Sequence, residues 1–371
     1  MNNVHFNIGY LCGTYGWGGL EMNQIRNATW MKERGHFVKV YCLKDSPSHK
    51  ACVEKGLPFI LIKKHKNHLD IINALQLLRL LKKDKIQHLV FRATFDMSIA
   101  ASIRFYSHGK IKTHFFMEMD FASPKKQFFR TFRYSLFDSW NCSLNYLKEQ
   151  VINNTNVDAN KVNVIPSGLD FSKVVNESKA VSREKLNLPN DRFIFGIVGR
   201  IDPKKGQLLA LKALEILDNP TVQLVLVGEE TPDSPSDYLK EIKLFITEKN
   251  LQSVVKLLPF QKNPFAVFNA FDCTLMTSDS ETFGMVTIES MAQGVPIVGS
   301  NAGGTTELLE FGESGLLFET RNKNDLAEKM KTMFENPNSF SKEKLKNSIQ
   351  KFNHKDVCEA VEKLLRKHSK R

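Results

Sequence analysis

The sequence has no long apolar run, which limits the kinds of protein it can encode. No stretch approaches the ~18 consecutive apolar residues that span a bilayer, although 42% of the 371 residues are hydrophobic. The first residues, MNNVHFNIGYL, also lack the basic region and long apolar core of a signal peptide. We therefore expect a globular protein of the cytoplasm.

Cysteine is scarce and irregularly spaced. The sequence contains no C-x-x-C pair and no metal-ligand spacing among its six cysteines, Cys12, Cys42, Cys52, Cys142, Cys273 and Cys358. This pattern excludes a disulfide framework or a zinc ribbon and predicts reduced, mostly buried thiols. Low-complexity segments and short repeats are absent as well.

Length and charge point to two unlike halves. A chain of 371 residues exceeds the ~100 to 200 residues of a typical domain, so two domains with a cleft between them are expected. Residues 1–170 hold 24 Lys and Arg against 13 Asp and Glu, a net charge of +11, whereas residues 171–371 hold 28 against 27. The excess indicates an anionic partner of the first half, such as a membrane surface, an acidic glycan or a nucleic acid. General solubility is the alternative explanation.

Strand and helix patterns alternate in both halves. Residues 4–12 read as a buried strand, GTYGWGG as a glycine-rich loop, and the next residues as an amphipathic helix closed by Gly35. The scheme restarts at FIFGIVGR. Alternating βα units imply parallel sheets. The sequence therefore predicts two α/β domains in tandem, joined near residues 168–190.

Two acids separated by seven residues, Glu281 and Glu289, follow a predicted strand. Glu281 falls in the loop at the carboxyl end of the strand, where open α/β sheets bind ligands, and Glu289 lies in the next helix. The first N–H groups of that helix, at Gly284, Met285 and Val286, would bind an anion. A phosphate there would have an acid on either side, one for a sugar and one for a ribose. A nucleotide sugar has this layout.

Cations and further acids follow other predicted strands. Arg200 and Lys205 come just after one strand and could neutralise a diphosphate leaving group without a metal. Glu118 and Asp120 form an acid-x-acid pair after another strand, which would instead suit a divalent ion. The DSE triplet at residues 279–281 offers the same alternative.

Taken in order, these motifs resemble the retaining glycosyltransferases of family 4, group 1, which have the GT-B fold. The resemblance spans nearly the whole chain and is carried by the E-x7-E element of Glu281 and Glu289, GRIDPKKG (199–206), GWGGLE (16–21), VIPSGLD (164–170), LVLVGEE (224–230), VPIVGSNAGGTTELL (295–309) and ESGLLF (313–318).

The resemblance implies an α/β architecture of two Rossmann-like, doubly wound parallel-sheet domains that face a central cleft. Residues 1–168 would form the acceptor-side domain and residues 169–350 the nucleotide-sugar-binding domain. Residues 351–371 would form a terminal helix that packs back on the first domain.

Roles for individual residues also follow from the resemblance. Arg200 and Lys205 would hold the diphosphate, and the amides after Phe283 would cap it. Glu289 would bind the ribose, and Glu281 would contact the donor sugar. The implied substrate-binding set is Gly18, Gly19, Asp120, Arg200, Lys205, Gly228, Thr282, Phe283, Gly284, Met285, Val286 and Glu289, and the implied catalytic set is Glu281, Glu118, Arg200 and Lys205. The family requires no metal or other cofactor.

A few positions depart from the family pattern. Ser167 stands where asparagine is frequent, and Thr282 stands where glycine is frequent. The loop after the fourth strand of the first domain commonly presents a histidine or an acid to the sugar, and here it offers Glu118 and Asp120. We favour Glu118 as the acceptor-side or sugar-side carboxylate, with Asp120 second. His114 lies within the strand and is expected in the core.

A segment rich in basic and aromatic residues, 124–140, has the composition of an interfacial helix beginning at Pro124. The alternative is a core-packing helix with a basic edge. With the charge of +11, this segment favours peripheral contact with the inner face of the cytoplasmic membrane. Nucleic acid is not expected as a partner, because no recognised binding fold accompanies the charge.

The predicted function is transfer of a hexose-type sugar from a nucleotide-diphosphate sugar to a growing cell-surface glycan or lipid-linked saccharide, as in lipopolysaccharide or capsule synthesis. UDP is the commonest donor nucleotide in the group, and base selectivity is expected near residues 228–232 and 258–263. The alternative is a sugar-nucleotide-binding or epimerising GT-B protein without transferase activity.

Overall fold

The chain forms two compact units. A computed structural model describes residues 5–121, 123–230 and 237–369. The first unit comprises Met1–Gly168 with His354–Arg371, and the second comprises Leu169–Asn353. Residues 231–232 of the predicted base-selectivity segment lie outside the described residues.

The first unit is built on a seven-stranded sheet. Its elements are β1 (Asn7–Cys12), α1 (Gly19–Glu33), β2 (Phe37–Leu43), α2 (Pro47–Glu54), β3 (Phe59–Ile62), α3 (Ile71–Lys83), β4 (His88–Phe91), α4 (Met97–Tyr106), β5 (Lys112–Met117), α5 (Phe128–Ser135), β6 (Ser139–Cys142), α6 (Asn145–Asn154) and β7 (Val162–Val164). The strand order is β3-β2-β1-β4-β5-β6-β7, with every pair parallel. The order reverses between β1 and β4, as in a doubly wound fold.

The second unit repeats this plan with six strands. Its elements are α7 (Lys179–Lys185), β8 (Phe193–Val198), α8 (Gln207–Leu217), β9 (Val222–Val227), α9 (Tyr238–Glu248), β10 (Val255–Leu258), α10 (Pro264–Asn269), β11 (Cys273–Met276), α11 (Met285–Ala292), β12 (Ile297–Ser300), α12 (Gly304–Leu308), β13 (Leu316–Phe318), α13 (Lys323–Glu335) and α14 (Lys342–Ser348). The order is β10-β9-β8-β11-β12-β13, all parallel, and it reverses between β8 and β11. The predicted tandem of Rossmann-like parallel sheets is confirmed.

Both sheets are covered on two faces, as parallel sheets require. In the first unit α3 and α4 pack on one face, and α1 and α2 pack on the other. In the second unit α8, α9 and α13 cover one face and α10 packs on the opposite one. The six cysteines are buried and unpaired, which confirms the prediction of reduced, buried thiols.

The last helix, α15 (His354–Ser369), belongs to the first unit. Its apolar face, including Val361 and Leu365, joins the buried cluster that α1 and α2 form with the sheet. The Arg34 guanidinium donates to both carboxylate oxygens of Glu362, at 2.6 and 3.0 Å. None of the helices within the described residues has the length and apolar character needed to cross a membrane.

The basic and aromatic segment 124–140 is not a single helix. The helical part is α5 alone, and β6 begins at Ser139 because that segment pairs with β5 and β7. Phe128, Phe129 and Phe132 are exposed, whereas the later aromatic residues of the segment, Tyr134, Phe137 and Trp140, are buried in the core. The predicted helix start at Pro124 is wrong. The core-packing interpretation holds for the later part of the segment, and the interfacial interpretation stays a prediction.

Candidate functional site

The second unit brings predicted site residues together at the point where its strand order reverses. The loops that leave β8 and β11 turn to opposite faces of the sheet, and open α/β sheets bind ligands in the crevice this creates. Arg200 and Lys205 lie after β8, and Glu281 lies after β11. The predicted cations and the predicted sugar-binding acid therefore share one edge of one sheet.

Lys205 and Glu281 are in direct contact. The Lys205 ammonium donates to Glu281 Oε1, and the Ser278 hydroxyl donates to the same oxygen at 2.7 Å. Their side chains are 30% and 14% exposed, so the pair is accessible from solvent. The Lys205 carbonyl also accepts from the Thr277 hydroxyl at 2.8 Å, which ties the two loops together. The contact joins residues that are 76 positions apart.

Two glycines allow the strand-end loops to approach closely. Gly206 has a φ of 69°, and a Cβ atom there would lie 2.2 Å from the Thr277 carbonyl oxygen. A Cβ atom at Gly228 would lie 1.8 Å from the Gly199 carbonyl oxygen. Gly228, which is predicted to bind substrate, is thus also required for packing, because no side chain fits between these two backbone segments.

The start of α11, where an anion site is predicted, is shaped by a glycine. Gly284 precedes the helix with φ 80° and ψ 64°, a left-handed conformation that glycine adopts readily. The first N–H groups of a helix, here at Met285 and Val286, have no carbonyl partner within it and lie at the positive end of its dipole. Phe283 is buried against the Phe352 ring, which fixes the turn before the helix. Glu289 lies on α11 and is buried.

Other polar residues at this edge have defined surroundings. Arg200 is exposed, and its carbonyl accepts from the Gln207 side chain at 2.7 Å. Arg321 forms two hydrogen bonds with Asp279, at 3.0 and 2.7 Å, and these lower the pKa of the Asp279 carboxyl. Within residues 5–121, 123–230 and 237–369 no group of three or more His, Cys, Asp or Glu side chains is arranged to hold a metal ion.

Glu118 of the first unit is a buried, paired carboxylate. It accepts from the Arg92 guanidinium, from Asn23 Nδ2 at 3.0 Å and from the Ser167 hydroxyl at 2.6 Å. The Arg92 and Glu118 side chains are each only 6% exposed. Arg92 Nε also donates to the Gln24 side chain at 3.0 Å. Glu118 therefore balances the charge of Arg92, and its predicted catalytic role stays a prediction.

Asp120 is the more accessible of the two acids after β5. Its carboxylate is exposed and accepts from the Tyr146 hydroxyl at 2.8 Å and from Gln150 Nε2 at 3.1 Å. His114 is fully buried and lies 3.0 Å from His88 and 2.8 Å from Ser139, as expected of a core residue.

Sequence reasoning missed several residues at the strand ends of the first unit. Arg92 follows β4 directly, and a charged residue at the end of an apolar strand was the only local sign of its position. His65 and Asp96 form a fully buried pair at 2.8 Å. They lie after β3 and β4, and their partnership depends on the order of the strands.

The two doubly wound sheets and the crevice residues of the second unit define a class, the GT-B proteins. A solved structure of Anabaena Alr3699/HepE in complex with UDP and glucose has a TM-score of 0.83 at 21% identity, covering 98% of this chain and 100% of that one. The crystal structure of a glycosyltransferase from Rickettsia africae ESF-5 has a TM-score of 0.89 at 18% identity, covering 99% of each chain. At these identities the similarity is one of fold.

Family comparisons cover most of the chain. Residues 17–173 match the family model described as Glycosyltransferase Family 4, and residues 178–356 match the model described as Glycosyl transferases group 1. The chain belongs to these group 1, family 4-like glycosyltransferases, as its motifs predicted.

Similar curated proteins match over shorter lengths. The D-inositol 3-phosphate glycosyltransferase of Stackebrandtia nassauensis is 33% identical over 178 residues, which are 46% of this chain and 40% of that protein. The protein of the same name from Arthrobacter sp. is 27% identical over 192 residues, 51% of this chain and 45% of that protein. The chain thus spans less than half the length of these relatives.

Proposed function

We propose that the protein transfers a hexose-type sugar from a UDP-sugar to a growing cell-surface glycan or lipid-linked saccharide, with retention of the anomeric configuration and without a metal. The observation that carries this proposal is the contact between Lys205 and Glu281 where the strand order of the second sheet reverses. A cation for the diphosphate and an acid for the sugar hydroxyls then lie side by side. Family membership supports the reaction class.

In the proposed reaction the second unit holds the donor by its diphosphate. Arg200 and Lys205 stabilise the negative charge that develops on the leaving diphosphate, and the first amides of α11 add hydrogen bonds. A diphosphate oxygen takes the place of Glu281 beside the Lys205 ammonium. The released Glu281 carboxylate then accepts hydrogen bonds from the donor sugar, while Glu289 binds the ribose.

The choice of UDP rests on neighbours of the same fold. The Anabaena protein was solved with UDP, with UDP and glucose, and with UDP-glucose. For the acceptor, the names of the curated relatives add D-inositol 3-phosphate to the compounds to be tested.

A thermal-shift panel tests the donor. UDP and UDP-glucose are expected to raise the melting temperature, whereas GDP and ADP sugars have smaller effects, because a ligand at a hundred times its dissociation constant adds ~2.7 kcal/mol of stability. Product formation from radiolabelled UDP-glucose, with and without a chelator, then distinguishes transfer from binding or epimerisation. Absence of a shift with every UDP compound would contradict the proposed donor, and loss of transfer with the chelator would contradict metal independence.

We also propose that α5 contacts an anionic membrane surface and so brings a lipid-linked acceptor to the protein. Phe128 and Phe129 are 77% and 83% exposed, and Phe132 is exposed beside them. Lys126 and Arg130 are exposed on the same short segment. Rings that enter the acyl boundary and cations that meet anionic headgroups are the two components of interfacial binding.

Vesicle sedimentation tests the membrane contact. We expect the protein to sediment with phosphatidylglycerol vesicles, less so at high salt because the attraction is partly electrostatic, and not with phosphatidylcholine vesicles. Replacing Phe128, Phe129 and Phe132 by serine should abolish sedimentation. The control is Phe311→Ser, at an equally exposed ring in the second unit. Equal binding of the triple variant and the control would refute the proposal.

A further inference from the structure

The glycine-rich loop between β1 and α1, residues 13–18, is fixed at its base. The Gly13 N–H donates to Asp96 Oδ2 at 3.2 Å, and the other oxygen of Asp96 pairs with His65 at 2.8 Å. The side chains of Asp96 and His65 are fully buried. A Cβ atom at Gly13 would lie 2.2 Å from Asp96 Oδ1 and 2.5 Å from His65 Nε2. The loop therefore leaves the sheet in one direction, held by a buried polar pair.

The same loop is fixed at its far end by one carboxylate. Glu21, in the first turn of α1, accepts from the Gly18 N–H at 3.0 Å and from the Thr14 hydroxyl at 3.2 Å. Gly16 packs so closely that a Cβ atom there would lie 2.9 Å from the Glu21 carboxylate. Both ends and the middle of the loop are thus held by side chains of the same unit.

Two large aromatic rings project from this fixed loop into solvent. Tyr15 is 54% exposed and Trp17 is 46% exposed. The other two tryptophans of the chain, Trp30 and Trp140, are buried. A single exposed ring needs no explanation, but here two exposed rings, two residues apart, lie on one braced loop at the end of a strand where the sheet reverses its order.

We propose that Tyr15 and Trp17 form a saccharide-stacking site for the acceptor, a refinement that rests on the proposed function. The C–H face of a pyranose ring is apolar and packs on aromatic rings, while its hydroxyls remain available to polar neighbours. Asp120, exposed after β5, lies at the same carboxyl edge of the sheet and supplies such an acceptor group. Because the loop is already ordered, binding costs little conformational entropy.

Iodide quenching of tryptophan fluorescence measures contact at this site directly, because iodide reaches Trp17 and not the buried Trp30 and Trp140. We expect at least one disaccharide among maltose, cellobiose and lactose, at millimolar concentrations, to protect the fluorescence from iodide. The protected component should be missing in Trp17→Phe. Tyr15→Ala should weaken binding of the protecting disaccharide by about fivefold, since an aromatic contact is worth about 1 kcal/mol.

The matched control is Phe105→Ala, at an exposed ring elsewhere in the first unit, which should leave protection unchanged. Protection by UDP alone, protection by phosphatidylglycerol vesicles alone, or no protection by any of the three disaccharides would overturn the stacking site. The UDP-induced thermal shift is measured on the same samples. If UDP raises the melting temperature but no disaccharide protects the tryptophan fluorescence, the stacking site is refuted and the proposed donor stands. If a disaccharide protects the fluorescence but UDP does not raise the melting temperature, the proposed donor is refuted and the stacking site stands.

Discussion

Lys205→Met is expected to lower the rate of sugar transfer by about 10²- to 10³-fold, the usual loss when one fixed group that stabilises developing charge is removed. The substitution has a second effect, because it leaves the Glu281 carboxylate without its cation beside the diphosphate site. Both effects raise the barrier to departure of the diphosphate. Steady-state kinetics with UDP-glucose would show the loss in kcat.

Lys204 provides the matched control for this prediction. It lies on the same short turn and its side chain is exposed, so Lys204→Met should change the rate by less than about twofold. Glu281→Gln separates the two members of the pair. It frees Lys205 and removes a negative charge, so it should tighten UDP binding by about threefold to tenfold while slowing transfer. Transfer at the parental rate in Lys205→Met would mean that the site is assigned wrongly.

Arg92→Met is expected to destabilise the first unit by about 3–5 kcal/mol, because it removes the guanidinium that lies against the buried Glu118 carboxylate. The double variant with Glu118→Met should recover much of this loss, since no charge then stays buried without a partner. All three tryptophans lie in the first unit, so urea unfolding followed by tryptophan fluorescence reports on that unit alone.

An exposed ion pair gives the comparison for the buried one. Lys185 pairs with Glu177 on the surface of the second unit, and Lys185→Met should leave the free energy of unfolding almost unchanged, measured by the circular dichroism of the whole protein. Glu118→Gln then tests the catalytic role predicted for Glu118. Slower transfer at a temperature where the variant is still fully folded would support that role, whereas a loss of less than about 1 kcal/mol in Arg92→Met would refute the structural one.

The main strands were predictable because each is a nearly continuous apolar run bounded by turn residues. The sequence pattern predicted β1 and β8 close to their observed positions. It missed β3, β7 and β13, which have four, three and three residues. Strands of this length are stabilised by pairing with a neighbour, and local periodicity does not reveal that neighbour.

Contacts between side chains were harder to predict than the elements that carry them. The motifs indicated that Lys205 and Glu281 serve one ligand, but their ion pair depends on β8 and β11 being adjacent although 76 residues separate the partners. Arg92 and Glu118 are 26 residues apart and lie just past the ends of two neighbouring strands, β4 and β5. The prediction for Glu118 considered only its own loop and so missed the cation that neutralises it.

The helix α15 has a consequence for how the protein is made. The hydrophobic layer of the first unit includes this helix, yet residues 169–353 are synthesised between the two parts of that layer. Domains generally fold as units while the ribosome extends the chain. The second unit can therefore reach its final structure before the first is complete, and until then the nascent chain exposes the apolar face of α1 that α15 later covers.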